Sequence, residues 1–566
     1  MSADKEPVVI VGAGLAGLVA AYELSERGIK TVLLDQENSN NLGGQAFWSL
    51  GGLFLVNSAD QRRNGIHDSR ELAMQDWMGT AAFDRQDEDT WPRRWAEAFV
   101  NFAADEFENY MKNLGLTFLN VGWAERGNGK ADGHGNSVPR FHLSWGVGPE
   151  VVRVFSEPLN KAAKRGLVDF KFRHAVDKIL IDDKSGRAIG VSGRILAHDD
   201  SPRGVKSNRE EKEKFELRGA AVLVASGGIG GDMDAVRAKW PTDRLGKVPQ
   251  HMIAGVPAHV DGRMIGITEE AGGRIINADR MWHYTEGIQN WQPIWPKHGI
   301  RILPGPSSLW LDATGKRLPP FLFPGCDTLA TLKYICSTGY DYTWFILDQS
   351  IIAREFALSG SEQNPDIADK SMWRVIMQRI LSSKGTQPVQ NFQKYGADFV
   401  VRDNLQDLVA GMNKLAAERN GPALEYEKVK AVIDLRDSQM ANSYSKDAQA
   451  MLLHNARSYW PERLSRLAKP HQLLNKTMSN GPLIAVRLNI LTRKSLGGIE
   501  TNLSSNVMRP SGEAFPGLYA AGEAAGFGGG GVHGYSALEG TFLGGCIFSG
   551  RAAGRAIAQE LQGSNA

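Results

Sequence analysis

Three glycines near the start of the chain have the spacing needed to hold a phosphate group. They are Gly12, Gly14 and Gly17 in the run Gly12-Ala13-Gly14-Leu15-Ala16-Gly17. In such a turn the first glycine allows a tight bend, the second lets backbone N–H groups approach a pyrophosphate, and the third lets a helix pack on a strand. The N-terminus of the following helix adds positive potential. The spacing therefore predicts a dinucleotide-binding turn that includes Ala13, Leu15 and Ala16.

The elements around these glycines fit that chemistry. Val8–Val11 is an apolar run typical of a buried strand, and a helix is predicted from Leu15 to Leu24. A second apolar strand, Thr31–Leu34, ends on Asp35, whose carboxylate would hold a ribose, with Gln36 beside it. Because strand, turn, helix, strand and acid follow in order, we interpret the segment as one βαβ unit rather than a set of ordinary turns.

Further segments of small residues are predicted to approach the same ligand. One carries two glycine pairs, a second follows an apolar strand at 220–224, and a third ends in an acid at Glu523. For the second of these a simple left-handed turn is the alternative. The candidate contacts are Gly43, Gly44, Gln45, Ala46, Ser49, Gly51, Gly52, Val176, Ala225, Ser226, Gly227, Gly522 and Glu523.

The composition limits the classes of function. At 566 residues the chain exceeds the roughly 250–300 at which single cores usually split, so several domains are expected. The 65 Lys and Arg nearly balance the 63 Asp and Glu, which disfavours nucleic acid as a partner. The cysteines, Cys326, Cys336 and Cys546, are too few for a disulfide framework and too far apart for a zinc knuckle. We expect a reducing compartment and no structural metal.

The N-terminal residues and the hydropathy pattern disfavour a signal peptide and a membrane span. Residues 1–7 lack the basic region of a signal peptide, and the apolar run that follows is interrupted by glycines. No uninterrupted apolar stretch reaches the roughly 18 residues that a membrane span requires. We therefore predict a cytoplasmic protein without an integral membrane segment.

The middle third of the chain differs from the rest in residue composition and hydrophobic pattern. Tryptophans, tyrosines and prolines crowd together from about Met281, and amphipathic helical patterns follow. From Gly497 onwards the sequence returns to glycine-rich segments and ends in a helical pattern from about Leu538 to Gln559. The predicted division is a nucleotide-binding domain at 1–280 and 478–566, interrupted by a cap domain at 281–477.

Five segments, taken in order, resemble a known superfamily. They are Gly12–Gly17 with Asp35, the segment Gly43–Gly52, Ala225–Gly228, Gly315-Lys316-Arg317, and Gly517–Glu523 before a terminal helix. This set resembles the flavoproteins that include fumarate reductases, succinate dehydrogenases and 3-ketosteroid dehydrogenases. The likeness covers nearly the whole chain. It implies an α/β fold, with a Rossmann-like, glutathione-reductase-type FAD domain interrupted by an α+β cap.

The resemblance also implies the cofactor and its contacts. FAD would place its adenosine ribose on Asp35, its pyrophosphate on Gly12–Gly17 and its ribityl chain near Glu523. The flavin pyrimidine edge would face the start of the terminal helix at Gly540, Thr541 and Leu543. Because Ala46-Phe47-Trp48 lacks the histidine to which succinate dehydrogenases attach flavin, we expect noncovalent FAD.

Two reactions are compatible with this resemblance. Fumarate reductases bind a dicarboxylate with a His and an Arg and use another Arg as proton donor, and these positions correspond to Lys494, Ala537 and a residue near Cys326. Lys494 and the adjacent Arg493 keep a small carboxylate substrate as an alternative. The 3-ketosteroid dehydrogenases place a Tyr and, four residues on, a Gly at the terminal helix. Here Tyr535 keeps that spacing and Glu539 replaces the glycine.

The predicted reaction is dehydrogenation of a C–C bond beside the carbonyl of an apolar, 3-ketosteroid-like ketone. Tyr535 would polarise the ketone, and a base would take the α-proton. The candidate bases are Tyr340, Tyr342 and Tyr284, with Glu539 as the next choice. We favour a structural or flavin-contacting role for His533, with general acid–base catalysis as its alternative.

Other classes of function remain open at this point. They are reduction of an activated C=C bond in a small carboxylate, a noncatalytic flavin-binding protein and an NAD-binding dehydrogenase. The electron acceptor and the oligomeric state are not indicated by the sequence.

Overall fold

The computed structural model describes residues 6–127, 135–474 and 480–563. Its strands, in chain order, are β1 Val8–Val11, β2 Thr31–Asp35, β3 Gly52–Phe54, β4 Phe118–Gly122, β5 Phe141–Ser144, β6 Val168–Phe172, β7 His174–Ile181, β8 Ala188–Leu196, β9 Glu211–Arg218, β10 Ala221–Val224, β11 Met252–Ala254, β12 Ile275–Ile276, β13 Met281–Gln289, β14 Gly299–Leu303, β15 Leu309–Asp312, β16 Tyr342–Asp348, β17 Ala357–Leu358, β18 Phe399–Arg402, β19 Leu483–Ser495, β20 Gly498–Ile499, β21 Asn506–Met508 and β22 Ala514–Ala520.

The helices alternate with these strands and complete both layers of the structure. They are α1 Leu15–Ser25, α2 Ala59–Arg63, α3 Arg70–Ala81, α4 Thr90–Asp105, α5 Phe107–Asn113, α6 Val147–Lys164, α7 Met233–Ala238, α8 Thr242–Leu245, α9 Arg263–Glu270, α10 Thr328–Ser337, α11 Gln349–Glu355, α12 Pro365–Ala368, α13 Met372–Val375, α14 Gln387–Tyr395, α15 Leu405–Ala417, α16 Tyr426–Met440, α17 Ala448–Ser458, α18 Trp460–Ser465 and α19 Thr541–Gly563.

A six-stranded sheet forms the first layer, in the order β21-β22-β10-β1-β2-β6. All of its pairings are parallel except that between β21 and β22. Helices α1, α6 and α19 cover one face, and the β7-β8-β9 meander packs on the other. Parallel strands buried on both faces read as continuous apolar runs, which explains why β1 and β10 were recognisable in the sequence. The predicted α/β class is confirmed.

The strand register brings the predicted cofactor segments together. Val11 lies opposite both Leu34 and Val224, and Val224 lies opposite Ala520. The carboxyl ends of β1, β2, β10 and β22 therefore share one edge of the sheet. In open α/β sheets ligands bind in the crevice at this edge.

The cap contains a second, eight-stranded sheet. Its main path runs β15-β16-β19-β13-β14-β17, and β11 and β18 also pair with β19. Large apolar side chains such as Trp344 and Phe345 fill a core between this sheet and helices that include α11 and α15. This cluster is distinct from the main core of the first layer, although Trp282, Tyr284 and Leu491 of the cap sheet belong to that first core.

Strand β19 lies elsewhere than the predicted domain boundary implies. Residues 478–566 were assigned to the nucleotide-binding domain, yet β19 pairs with β13, β16 and β18 in the cap sheet. Pairing between distant segments leaves no local sequence signal. The change in residue composition alone therefore gave a C-terminal cap boundary that leaves β19 outside the cap. The three-part division otherwise stays a prediction.

None of the helices within the described ranges is both long and apolar enough to span a bilayer.

Candidate functional site

A large cleft opens where the carboxyl edge of the parallel sheet meets the cap. It encloses about 1620 Å³ of empty space, part of which is continuous with solvent. The predicted cofactor residues that line it are Gly12, Gly14, Leu15, Ala16, Asp35, Gln36, Gly43, Gly44, Gln45, Ala46, Ser49, Gly51, Gly52, Val176, Ala225, Ser226, Gly227, Gly522, Glu523, Gly540 and Leu543. The cap side contributes Tyr284, Arg301, Leu303, Ser359, Arg493 and Lys494.

The three glycines of the first turn have different environments. A Cβ on Gly12, where φ is +110°, would lie 2.5 Å from the Ala225 carbonyl oxygen, and one on Gly17 would lie 2.1 Å from the Gly12 carbonyl oxygen. Both glycines are required by close packing of the backbone. A Cβ on Gly14 would have no atom nearer than 3.9 Å, so there is free space beside this glycine. It faces the cleft and leaves its backbone open to a ligand.

Three predicted contacts support the site without lining the cleft. Gly17 closes the helix–strand contact just described. The Ala13 N–H donates to Asp35 Oδ2 at 2.9 Å, and the Thr541 hydroxyl donates to the Leu538 carbonyl oxygen. Ala13 and Thr541 therefore bond to groups of the protein itself and do not line the cleft, and their contact with the cofactor stays a prediction.

Asp35 lies at the end of β2, as predicted for a ribose ligand. Its Oδ1 accepts from the Glu37 N–H at 2.8 Å, and its Oδ2 accepts from Ala13. Burial raises the pKa of Asp35, while these two hydrogen bonds act in the opposite direction. The hydrogen bonds fix the carboxylate at the cleft wall.

A polar network joins three segments on the opposite wall. Gln45 Nε2 donates to Glu523 Oε2 at 2.7 Å, Lys494 Nζ donates to Gln45 Oε1 at 2.5 Å, and the Ser495 N–H donates to Glu523 Oε1 at 2.9 Å. Burial lowers the pKa of Lys494, and the Glu523 carboxylate opposes that effect. Ser226 Oγ is buried at the same cleft and has no hydrogen-bond partner among the described residues. A hydroxyl in this state fits a polar ligand bound against the strand end.

A buried charge cluster forms the cap side of the cleft. Arg301 Nη1 donates to Glu539 Oε1 at 2.5 Å, and the guanidinium lies 3.8 Å from the centre of the Tyr284 ring. Two further carboxylates approach the same guanidinium. Glu125 Oε1 lies 3.4 Å from Nη2, and Glu286 Oε2 lies 3.8 Å from Nε.

The cluster holds more negative than positive groups, which affects their protonation. Burial raises the pKa of Glu125 to about 8, although Arg301 opposes this, and burial also raises the pKa of Glu286. Burial raises the pKa of the Tyr284 hydroxyl, with the Glu539 carboxylate adding to the effect. Glu125 therefore retains a proton near neutral pH, and Tyr284 stays a hydrogen-bond donor.

Comparison with known proteins identifies the ligand of this cleft. The family described as "FAD binding domain" matches residues 7–543. The chain belongs to this family. FAD is its cofactor, which fits the open face of Gly14, the fixed Asp35 carboxylate and the unpartnered Ser226 hydroxyl.

Curated relatives show what this flavoprotein resembles along its whole length. A KsdD-like steroid dehydrogenase of Mycolicibacterium smegmatis is 58% identical over 555 residues, covering 98% of this chain and 99% of the relative. Another, from Mycobacterium tuberculosis, is 57% identical over 556 residues and covers 98% of this chain and 96% of the relative. The expected membership of this flavoprotein superfamily is confirmed. The chain is an FAD-dependent oxidoreductase related to these proteins.

Solved structures share the fold. The 3-ketosteroid Δ1-dehydrogenase of Sterolibacterium denitrificans, in complex with 1,4-androstadiene-3,17-dione, superimposes with a TM-score of 0.66 at 13% identity, covering 99% of this chain and 100% of that one. The open conformation of a flavocytochrome c3 fumarate reductase gives 0.62 at 18% identity, covering 98% and 78%. The FAD-domain-and-cap architecture is therefore the common fold.

Tyr535 lies outside the FAD cleft of this flavoprotein, contrary to its predicted role as the ketone donor. It lines a second cavity together with Glu125, Cys326 and Arg244. Its hydroxyl donates to Asp84 Oδ1 at 2.8 Å, and the Arg280 guanidinium lies 4.0 Å from its ring centre. The reason is local, because the Tyr535 N–H donates to the Ala81 carbonyl oxygen at 2.9 Å and holds this turn against α3.

Tyr340 and Tyr342 also lie away from the cleft. Tyr342 begins the buried strand β16, with its ring centre 5.6 Å from that of Trp344, and burial raises its pKa to about 12. Tyr340 packs beside it at 6.4 Å between ring centres. Both side chains belong to the cap core, so the prediction that either serves as the base is not supported. Of the four tyrosine candidates, Tyr284 alone lines the cleft.

His533 is buried beneath the start of the terminal helix. Its Nε2 lies 2.9 Å from Thr541 Oγ1, and its ring stacks on Trp77 with 5.6 Å between centres. Burial lowers its pKa to about 3, which keeps the imidazole neutral at ordinary pH. The geometry fits the structural role favoured from the sequence and gives no support to acid–base catalysis.

Arg301 and its partners Glu125 and Glu286 escaped the sequence analysis. Arg301 is a single cation inside the apolar strand β14, Gly299–Leu303, and a charge within such a run is costly unless it is paired. That pattern was the available signal. Glu286 lies on the neighbouring strand β13 and Glu125 comes from a distant segment, and neither had a sequence signal of its own.

Proposed function

We propose that this flavoprotein removes hydrogen from a C–C bond beside the carbonyl of an apolar, 3-ketosteroid-like ketone. The observation that carries the proposal is the pairing of Tyr284 with Glu539 in one cleft. The Tyr284 hydroxyl makes no hydrogen bond to any described residue, and Glu539 is held as an acceptor by Arg301. A donor for a ketone oxygen and an acceptor for an α-proton are what this reaction requires. The names of the whole-length relatives support the substrate class.

The residues divide the work as follows. Tyr284 donates its hydroxyl proton as a hydrogen bond to the ketone oxygen, because its raised pKa keeps that proton in place. The Glu539 carboxylate takes the α-proton, and Arg301 positions it. Bound FAD supplies the acceptor for the hydride from the β-carbon. Leu50, Phe141 and Leu303 line the same cleft and give an apolar skeleton surfaces to pack on.

A second candidate is reduction of an activated C=C bond in a small carboxylate. Arg493 and Lys494 both line the cleft, as an anionic substrate would require. Lys494, however, is already bound to Gln45, and the cleft cation Arg301 is already surrounded by carboxylates. We therefore place this reaction second.

The test is anaerobic titration of the purified FAD-loaded protein with a saturated 3-ketosteroid and, separately, with succinate, while flavin absorbance is followed. We expect bleaching by the ketosteroid alone and greatly slowed bleaching in Glu539→Gln. Glu213→Gln, at an exposed position on β9, is the matched control and should bleach normally. Bleaching by succinate alone would favour the second candidate, and bleaching by neither would contradict both.

A further inference from the structure

Four Arg and Lys side chains line the cleft, and they differ in how far other groups balance their charges. Arg263 lies 2.7 Å from Asp177 Oδ1. Arg301 has Glu539 at 2.5 Å, with two more carboxylates within 3.8 Å. Lys494 bonds to Gln45 and lies 3.9 Å from Glu523 Oε2. The Arg493 guanidinium lines the cleft and makes no hydrogen bond or ion pair with any residue in the described parts of the chain, so its charge is left unbalanced.

Arg493 is held in place through its aliphatic stem. It lies near the end of β19, and a Cβ on Gly255 would be only 3.2 Å from Arg493 Cγ, so the stem packs against this glycine. A partly buried guanidinium without a counter-charge carries a desolvation cost, which a bound anion would offset. The stem is positioned while the charged end stays available.

Glu362 is an acid whose pKa responds to the Arg493 charge, but it does not supply the missing counter-charge. Glu362 feels the Arg493 charge, yet the two form no ion pair within 4 Å, and Glu362 Oε2 is shielded from solvent without a partner. Burial raises the pKa of Glu362 to about 7, so this carboxyl is only partly ionised near neutral pH. The Arg493 charge therefore remains uncompensated within the protein.

The surroundings of Arg493 place it on the substrate side of the cleft. The groups whose pKa responds to its charge are Tyr284, His298 and Glu362 in the cap and the adjacent Lys494. The pyrophosphate-binding turn Gly12–Gly17 belongs to the parallel sheet. Arg493 thus accompanies the proposed ketone donor rather than the phosphate cradle.

We propose that Arg493 binds a carboxylate carried by the ketone substrate. A planar guanidinium pairs with a carboxylate through two parallel hydrogen bonds, which adds direction as well as affinity. This inference rests on the proposed function and narrows it, because the substrate becomes an apolar ketone with an acidic group elsewhere on its skeleton. A neutral ketosteroid would leave the Arg493 charge exposed to an apolar surface.

The kinetic test compares one ketone in charged and neutral form. The probes are a saturated 3-oxosteroid with a side-chain carboxylate and its methyl ester, assayed with FAD-loaded wild type, Arg493→Met and Arg493→Lys. We expect wild type to have a KM for the acid about 10- to 100-fold below that for the ester. Arg493→Met should raise the KM for the acid to that of the ester with kcat changed little, and Arg493→Lys should restore part of the difference. Arg402→Met, an exposed arginine on β18 of the cap, is the matched control and should behave as wild type.

A binding measurement separates this inference from the proposed function. The matching α,β-unsaturated 3-one acid and ester, which are the products of removing one hydrogen pair, are titrated into oxidised holoenzyme and detected through the flavin spectrum. Tighter binding of the acid in wild type alone supports the carboxylate site even if turnover fails. Equal binding of acid and ester by wild type overturns it, as does loss of FAD from Arg493→Met, which would assign the cation to the cofactor. If neither steroid is oxidised, the proposed function fails and the titration still decides the role of Arg493.

Discussion

At the scale of single residues, Tyr284 and Tyr535 form a natural pair for comparison. Tyr284 faces the cleft beside Arg301, whereas the hydroxyl of Tyr535 is engaged with Asp84 in the second cavity. We expect Tyr284→Phe to lower kcat by about 10²-fold, as loss of an oxyanion-type donor does. Tyr535→Phe should change kcat by less than about threefold. Steady-state kinetics at equal FAD content provides the measurement, and the reverse ranking would return the donor role to Tyr535.

Glu362 gives a prediction about pH and stability. Its pKa is about 7 in the folded protein because burial penalises the carboxylate. This pKa is well above the roughly 4.3 of a glutamate in an unfolded chain. Between those two values the folded state binds the extra proton, so stability falls as pH rises through this window. Glu362→Gln should therefore raise Tm relative to wild type at pH about 8 and change it little at pH about 4.5.

Thermal unfolding of the holoenzyme, followed by tryptophan fluorescence at both pH values, tests this. The exposed Glu213→Gln variant should track wild type throughout. An equal shift of Tm at both pH values in Glu362→Gln would show that the substitution acts through packing and not through the proton.

At the scale of elements, the glycines near the turn between β1 and α1 have two different roles. Gly17 allows close backbone packing, and Gly14 leaves space for a ligand. Gly17→Ala would press a methyl group against the Gly12 carbonyl oxygen, so it should destabilise even the FAD-free protein, by about 1–3 kcal/mol. Gly14→Ala has room in the protein and keeps an ordinary φ of −75°, so it should fold normally and bind FAD more weakly. Apoprotein Tm and FAD content of the two variants are the readouts. Equal Tm loss in both would refute the distinction.

The elements predicted best were those whose signals are local. β1, α1 and β2 carry the apolar run, the glycine spacing and the terminal acid within one short stretch, and β2 ends on Asp35 as predicted. The cap sheet was not predictable in the same way, because β19 is paired with strands from distant parts of the chain. Spacing along a sequence does not reveal which side of a glycine-rich turn a side chain takes, so it did not show that Tyr535 lies in the second cavity.

At the scale of the whole molecule, the cleft predicted to hold FAD lies where the parallel sheet meets the cap. Phe47 and Trp48 occupy the segment where a covalent attachment residue would be expected, so the cofactor should be held by contacts alone. We expect acid precipitation to release all of the flavin into the supernatant. Removal of FAD under native conditions should lower Tm, and added FAD should restore it in proportion to RT ln(1 + [L]/Kd). Yellow colour retained in the precipitate would demonstrate a covalent bond.

The path of β19 has a mechanical consequence. This central strand of the cap ends at the cleft. There Lys494 donates a hydrogen bond to Gln45, and the Ser495 N–H donates one to Glu523. If the end of β19 moved with the cap, these two hydrogen bonds would have to break. Any movement of the cap relative to the parallel sheet is therefore coupled to the groups that line the cofactor cleft.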